Sequence, residues 1–407
     1  MKILVVSQYY PPEDVGAAIY ISQLTRDLAG RGQLVTMLTG FPNYPGRRVF
    51  EGYRKKLFLR ETIDGIEVVR TWIFANPSEA YWSRVLNWGT FCLTSFVGGL
   101  LAVGKPDVVY AVLPPLPLGV TSILLAKMKG ARVVCAVEDI YPMIAVELGI
   151  LKNPLLIRFF SGMERWVYRH ADGLVAISEG FKRHLVGSGA DASKTSVIPN
   201  WADAETIRPA DRMTAFRREL HLEDQFIVLY AGALSHNSSL EALISAAAEL
   251  ERHPITILIV GEGVHKKNLE ERAGSGGFRN VVFVPFQPLS RYPEVLASAD
   301  LSVVTLNIPA TLASVPSKIF KQMASGRPIL AITEPGNELE RMVAGHRMGV
   351  CVSPRDPAAV AGAIVALFND PAKLKDMGAN ARRAVEEHYS RDRCTGLIED
   401  ALRKALD

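Results

Sequence analysis

The stretch best equipped for chemistry is SQYYPPEDVGAAIYISQL, residues 7–24, which follows the apolar run Ile3–Val6. A strand that feeds a helix through a turn leaves unpaired N–H groups at the helix start, where the helix dipole adds positive potential. Gly16, Ala17 and Ala18 are small enough to let a ligand approach that backbone, so the turn suits an anion. A plain βα turn would not need three small residues in succession. A dinucleotide site would need G-x-G-x-x-G and an acidic residue about 20 positions further on, and neither is present. The four cysteines, Cys92, Cys135, Cys351 and Cys394, include no close pair. That is neither a disulfide framework nor a zinc spacing, and it fits a reducing compartment.

The elements that must position this loop are legible as a rhythm. Short β-rich runs alternate with amphipathic segments: residues 3–6, 34–38, 66–72, 107–112, 132–137, 173–178 and 195–199, then 226–232, 255–261, 281–286, 301–306, 327–332 and 349–353. Strands separated by helical patterns are βαβ units with parallel sheets, and runs apolar on both faces expect helices on both sides. At 407 residues the chain is too long for one ordinary core. The fold class is therefore α/β, with two consecutive doubly wound, Rossmann-like domains. The pattern breaks at PNWADAETIRPADR (199–212). It predicts domains over 1–204 and 205–387, followed by a terminal helix over 388–407.

Charge is uneven. Residues 1–200 hold 22 Lys+Arg against 16 Asp+Glu, a balance of +6, whereas the remainder holds 24 against 26, or −2. A basic first half suits an anionic partner such as phosphate or a lipid surface. The run ILVV is too short for a signal peptide, so a cytoplasmic location is expected. Residues 85–104, VLNWGTFCLTSFVGGLLAVG, are 20 uncharged residues in a row, about enough to cross a bilayer. Crossing would separate strands that must share one sheet, so this segment is either a covered helix or one dipping into a membrane interface. Trp72, Trp82, Trp88 and Trp166 fall in the same half, and RFFSGMERWVYRH (158–170) mixes aromatic with basic residues. Such mixtures favour interfaces.

Five further segments follow in order: ADGLVAISEGFKRHL (171–185), SVIPNWAD (196–203), FIVLYAGALSHNSSLEALISAA (226–247), ILIVGEGVHKKNLEE (257–271) and PSKIFKQMASGRPILA (316–331). This ordered set resembles the retaining nucleotide-sugar glycosyltransferases of family 4, which adopt the GT-B fold. FPNYPGRRVFEGYR (41–54) resembles the branch that builds bacterial exopolysaccharide and O-antigen, including colanic-acid-type and N-acetylfucosamine transferases. The resemblance implies two domains facing across a cleft, with the C-terminal helix packing back on the first. It also implies a nucleotide-sugar donor on the second domain and a polyprenyl-diphosphate-linked acceptor on the first. Peripheral contact with the inner face of the cytoplasmic membrane follows, with no nucleic acid, no cofactor and no metal.

The resemblance also distributes roles. Gly16, Ala17 and Ala18 would donate backbone N–H groups as the opening loop closes over the donor diphosphate. Gly261 and Gly263 would admit the nucleoside beside Glu262, and His236 and Asn237 would add polar contacts. The family's basic pair falls on Ala233 and Ser238, and its two glutamates fall on Ala313 and Lys321. Lys318, preceded by Ser317 at an expected helix start, would compensate by holding phosphate. The family's catalytic-loop histidine is replaced by Glu138 and Asp139, which become the candidates for catalysis or acceptor binding. Asp139 could equally cap the next helix, and Lys318 could be a solvated lysine on a helix face. A sugar-nucleotide epimerase and a non-catalytic partner subunit are the alternative functions.

Overall fold

The computed structural model describes residues 1–407 except Val15, Glu79, Ala80, Leu148, 235–239 and 307–314. The chain forms two compact units, one of residues 1–199 with 392–407 and one of residues 200–391.

The first unit is built on strands β1 (Lys2–Val6), β2 (Leu34–Gly40), β3 (Phe58–Ile63), β4 (Ile66–Thr71), β5 (Val108–Leu113), β6 (Arg132–Val137), β7 (Gly173–Ala176) and β8 (Thr195–Val197). They lie in the order β3-β4-β2-β1-β5-β6-β7-β8. All neighbours are parallel except β3 and β4. Every residue of β5 and β7 is buried, as strands need to be when covered on both faces. The helices used below are α1 (Gly16–Gly30), α2 (Tyr81–Ala102), α3 (Leu116–Lys129), α4 (Met143–Glu147) and α5 (Pro154–His170).

The periodic reading assigns no strand to β3. The segment FLRETI carries Arg60 and Glu61 and alternates between exposed and half-buried positions, as an edge strand does. Its hairpin is closed by Asp64 and Gly65, with φ of 51° and 79°. Two left-handed residues in a two-residue turn give the twist that antiparallel strands require, and Asp-Gly is its usual sequence. Behind this hairpin Arg70 is completely buried. It donates to Glu61, to the Pro11 carbonyl and to the Gly40 carbonyl, and its guanidinium lies 5.1 Å from the Tyr53 ring centroid. One buried cation thus ties the opening loop to β2, β3 and the 51–53 turn.

The second unit holds β9 (Phe226–Ala231), β10 (Ile255–Val260), β11 (Val281–Val284), β12 (Leu301–Leu306), β13 (Ile329–Thr333) and β14 (Gly349–Val352). The order is β11-β10-β9-β12-β13-β14, all parallel. Its core joins Val228, Tyr230, Ile257 and Ile259 of the sheet to Leu243, Ala247 and Ile364 of the covering helices. Each fully buried aliphatic side chain there stabilises the unit by about 1.5–3 kcal/mol.

Within the second unit Ala202 bridges Ser390. From Asp392 onward the terminal helix Arg391–Leu406 belongs to the first unit. Cys394, Ile398 and Leu402 are buried there, while Gln33 Nε2 donates to Glu399 Oε1 at 2.8 Å and Lys404 to the Ser193 carbonyl at 2.7 Å.

Among the parallel strands of each sheet the order reverses once, between β1 and β5 and between β9 and β12. At such a point adjacent connections diverge to opposite faces and leave a crevice at the carboxyl edge. The opening loop follows β1. Lys318 follows β12.

Candidate functional site

In the first unit the opening loop is held by Glu13, which the sequence reading assigned no role. Its side chain is almost wholly buried and accepts from the Asn43 N–H at 2.8 Å, the Tyr44 N–H at 2.9 Å and the Tyr10 N–H at 3.4 Å. Burial raises the Glu13 pKa, and these N–H groups oppose the rise. The loop is therefore clamped to FPNYP rather than free. Gly16 and Ala17 are exposed at the start of α1, and a side chain at Gly16 would meet nothing within 4 Å. Ala18, the third expected donor, is fully buried.

The loop after β6 brings Glu138 and Asp139 to the same carboxyl edge. The Glu138 N–H donates to the Leu113 carbonyl at 2.9 Å, which joins this loop to the end of β5. Asp139 is half-buried, and no described side chain or N–H reaches its carboxylate; α4 begins only at Met143, so the capping alternative is not realised. Burial pushes the Asp139 carboxyl up to about 6. Two residues on, Tyr141 packs edge-on against Trp88 of α2 with centroids 5.5 Å apart. Asn87, next to Trp88, accepts from Gln8 of the opening loop and donates to the Phe74 carbonyl at 2.6 Å. Helix α2 is thus the common support of both loops.

In the second unit Lys318 opens the helix Lys318–Ala324. Its Nζ donates to the Tyr230 hydroxyl at 2.7 Å and lies 4.0 Å from the centroid of that ring. No described carboxylate pairs with it. Lys318 is half-buried, and loss of water around the ammonium lowers its pKa to about 7. A solvated lysine on a helix face is therefore not what the chain builds. A side chain added at Gly232 would stand 3.3 Å from Nζ, so the glycine after β9 makes room for the amine. Ser317 is exposed and makes no capping hydrogen bond, while Lys321 lies 5.5 Å from the Tyr292 ring. His236, Asn237, Ser238 and Ala313 lie outside the described residues.

The glycines of VGEGV, expected to admit a nucleoside, also have a packing reason within this unit. A Cβ at Gly261 would fall 2.0 Å from the Gly232 carbonyl oxygen, and one at Gly263 would fall 2.2 Å from the Leu234 carbonyl oxygen. They admit another stretch of backbone: the Leu234 N–H donates to the Glu262 carbonyl at 2.9 Å and the His265 N–H to the Leu234 carbonyl at 3.1 Å. This pairing fixes Gly232, and with it the wall beside Lys318. The Glu262 carboxylate is engaged by Lys266 at 2.7 Å.

Two family models match this chain: Glycosyl transferase 4-like domain over residues 15–201, and Glycosyl transferases group 1 over residues 211–384. The chain is 30% identical to a protein of Escherichia coli (strain K12) named as a colanic acid biosynthesis glycosyl transferase, WcaI, over 89% of this chain and 91% of that one. The chain belongs to the GT-B glycosyltransferases. It is also 27% identical to a Pseudomonas aeruginosa protein named as a glycosyltransferase, WbjE, over 70% of this chain and 72% of that one. Solved structures share the fold at lower identity. Sucrose-phosphate synthase from Thermosynechococcus elongatus superposes with a TM-score of 0.77 at 18% identity over 99% of this chain and 98% of that one. Anabaena HepE, solved with UDP, gives 0.74 at 18% identity over 99% of this chain and 100% of that one.

For this glycosyltransferase, the residues that sequence reasoning missed are Glu13, Tyr230 and Gly232, while Trp88 was read as an interfacial aromatic and not as the support of the Asp139 loop. Only Tyr230–Gly232 left a signal, a tyrosine and a glycine at the carboxyl end of a buried strand, where open α/β sheets bind ligands. Glu13 left none, because its partners are backbone groups about 30 residues away in sequence.

Proposed function

We propose that the enzyme transfers a sugar, of the N-acetylated hexosamine type, from a UDP-activated donor to a polyprenyl-diphosphate-linked acceptor during cell-surface polysaccharide assembly, with retention at the anomeric carbon. The observation that carries the donor half is Lys318, a partly desolvated ammonium at a topological switch point with no carboxylate among the described residues to neutralise it. A diphosphate supplies the missing charge, and a lysine is a common point-charge ligand for phosphate. That HepE was solved with UDP and with UDP-glucose supports the uridine nucleotide. The names of WcaI and WbjE support the polysaccharide context.

In the proposed reaction the acceptor hydroxyl oxygen bonds to the sugar C1 while the bond from C1 to the phosphate oxygen breaks. The hydroxyl proton passes to the departing phosphate, and UDP leaves. Lys318 holds charge that grows on the leaving group, a role worth more in the transition state than in the ground state. Asp139, without a hydrogen-bond partner among the described residues, accepts a hydrogen bond from the acceptor sugar. The proposed reaction is metal-independent, with Lys318 supplying the positive charge at the leaving group. The acceptor's lipid anchor places the enzyme at the inner face of the cytoplasmic membrane.

The test is calorimetric titration of the full chain with UDP, GDP and dTDP, followed by product analysis with UDP-N-acetylhexosamines and a polyprenyl-diphosphate sugar. Preference for UDP and an α-linked product from an α-linked donor are expected. Binding of GDP or dTDP in place of UDP would overturn the donor assignment, and a β-linked product would overturn retention. Release of an epimerised nucleotide sugar without acceptor would make the protein an epimerase instead.

A further inference from the structure

Helix α2 is built inside out. The side turned to the protein carries Ser83, Phe91, Cys92, Ser95, Gly98 and Gly99, all buried. The side turned to solvent carries Trp82, Leu86, Leu93, Val97 and Leu101, spaced four or seven apart along one stripe, with Leu93 64% and Leu101 83% exposed. A helix on the surface of a water-soluble protein places its apolar stripe inward. Here small residues face inward because the neighbours come close: a side chain at Gly98 would meet Thr71 at 2.6 Å, and one at Gly99 would meet Leu125 of α3 at 2.5 Å. Gly119 of α3 likewise sits under Val167 of α5, where a Cβ would be 2.7 Å away. Helices α2, α3 and α5 therefore form one tightly packed layer.

The outer side of the whole layer is apolar. Leu124 and Met128 of α3, and Leu155, Leu156 and Phe159 of α5, are also exposed. Its charge is of one sign. The three helices carry Arg84, Lys127, Lys129, Arg158, Arg165 and Arg169, and their single acid, Glu164, is buried and paired with His184 at 2.8 Å. An apolar face bordered by cations and lacking exposed acids complements an anionic lipid surface. Helix α2 is long and apolar enough to cross a membrane by length and composition. It cannot do so here, because β4 before it and β5 after it belong to one sheet.

We infer that the outer face of the α2–α3–α5 layer is a monotopic docking surface that lies on an anionic bilayer, with the stripe Trp82–Leu86–Leu93–Val97–Leu101 immersed among acyl chains. This deepens the membrane attachment proposed above and assigns a purpose to the geometry of α2. The same helix supports the opening loop through Asn87 and the Asp139 loop through Trp88. Docking therefore brings the candidate acceptor residues to the lipid surface from which a lipid-linked sugar projects.

The test is flotation of the full chain with phosphatidylglycerol-containing vesicles and with pure phosphatidylcholine vesicles, with no nucleotide sugar present, so that it reads independently of transfer. Flotation with the anionic vesicles is expected. The double variant Leu93→Glu, Val97→Glu should weaken it by about tenfold or more, and Lys127→Glu with Arg158→Glu should remove its dependence on anionic lipid. Retained UDP binding by these variants separates loss of docking from loss of fold. If the glutamate variant does not fold, Leu101→Cys in a Cys351→Ser background, labelled with an environment-sensitive dye, should shift to the blue on adding the anionic vesicles. No flotation with either vesicle, or no shift, overturns the proposal. So does a wild-type dimer in light scattering that Leu93→Glu converts to monomer, since the face would then belong to a second copy.

Discussion

The Lys318 ammonium meets Tyr230 twice, as a hydrogen-bond donor to its hydroxyl at 2.7 Å and as a cation 4.0 Å from its ring centroid. The Tyr230 hydroxyl in turn donates to the Ala233 carbonyl at 2.8 Å, so tyrosine and lysine hold each other at the end of β9. A hydroxyl and a π face orient an ammonium without neutralising it. The charge stays available for an anion.

Lys318→Met removes that charge and keeps the stem. Turnover should fall by about 10²-fold or more, the scale seen when a transition-state donor is lost. The thermal midpoint should rise at neutral pH, because a desolvated, unpaired cation costs folding energy. This differs from the expectation for a solvated lysine, whose removal leaves stability unchanged. Turnover within a few-fold of wild type would remove Lys318 from the diphosphate site.

The lowered pKa also fixes a pH dependence. Folded Lys318 titrates at about 7, against 10.5 for an ordinary lysine. Between these values the unfolded chain carries a proton that the folded chain lacks, so this residue's contribution makes stability rise with pH across that window. Below about 7 its full penalty is present. The stabilisation of Lys318→Met over wild type should therefore be largest at pH 7 and below and shrink towards pH 10, read from thermal midpoints across the range. UDP, by supplying negative charge, should raise the lysine pKa and draw a proton from solution near pH 8. Calorimetry in two buffers of different ionisation enthalpy measures that uptake, and Lys318→Met should abolish it.

Asp139 has its carboxyl pushed up to about 6 by burial, with no donor among the described residues to offset it. If the carboxylate binds the acceptor, kcat/KM for acceptor should climb as pH rises through about 6. Asp139→Asn should flatten that limb and raise the acceptor KM while leaving UDP affinity unchanged. It should also raise the thermal midpoint above pH 6, since the unfavourable buried charge is gone. An unchanged acceptor KM would assign the residue elsewhere.

Gly261→Ala tests the loop pairing beside Lys318. Its Cβ would collide with the Gly232 carbonyl at 2.0 Å, a backbone atom that no rotamer change can move away. The loop must shift or the strand ends part, at a cost of about 1–3 kcal/mol. The melting transition should fall, and UDP affinity should fall with it as Gly232 is displaced. A wild-type melting curve would show that the two loops are not so tightly joined.

Glu13→Ala should leave the N–H groups of Asn43 and Tyr44 without their acceptor. A buried donor left unpaired costs about 1–3 kcal/mol. Hydrogen exchange at these two amides should accelerate more than at β1, whose ladder is untouched. Unaltered protection would mean that the 41–44 loop is held from elsewhere.

What the chain's one-dimensional pattern determined is the architecture. Buried parallel strands need apolar residues on both faces, so β1, β5, β9, β10 and β12 read as continuous runs, and the two series of runs announce two doubly wound sheets. The ordered motifs carried the family as well. β3 escaped because an edge strand needs only alternation, and only the Asp64–Gly65 turn marked it. The site divides along the same line. Residue type and position in a motif drew attention to Gly16, Asp139 and Lys318. Whether each is free to act depends on what folds against it, which no local pattern records. Tertiary packing buried Ala18, filled the space at Gly261 and Gly263 with backbone, paired Glu262 with Lys266 and left Lys318 without a counter-ion among the described residues. It also turned the apolar stripe of α2 outward, because glycines and serines let its other side approach the sheet. Composition sets how apolar a helix is; only its neighbours decide which side meets water.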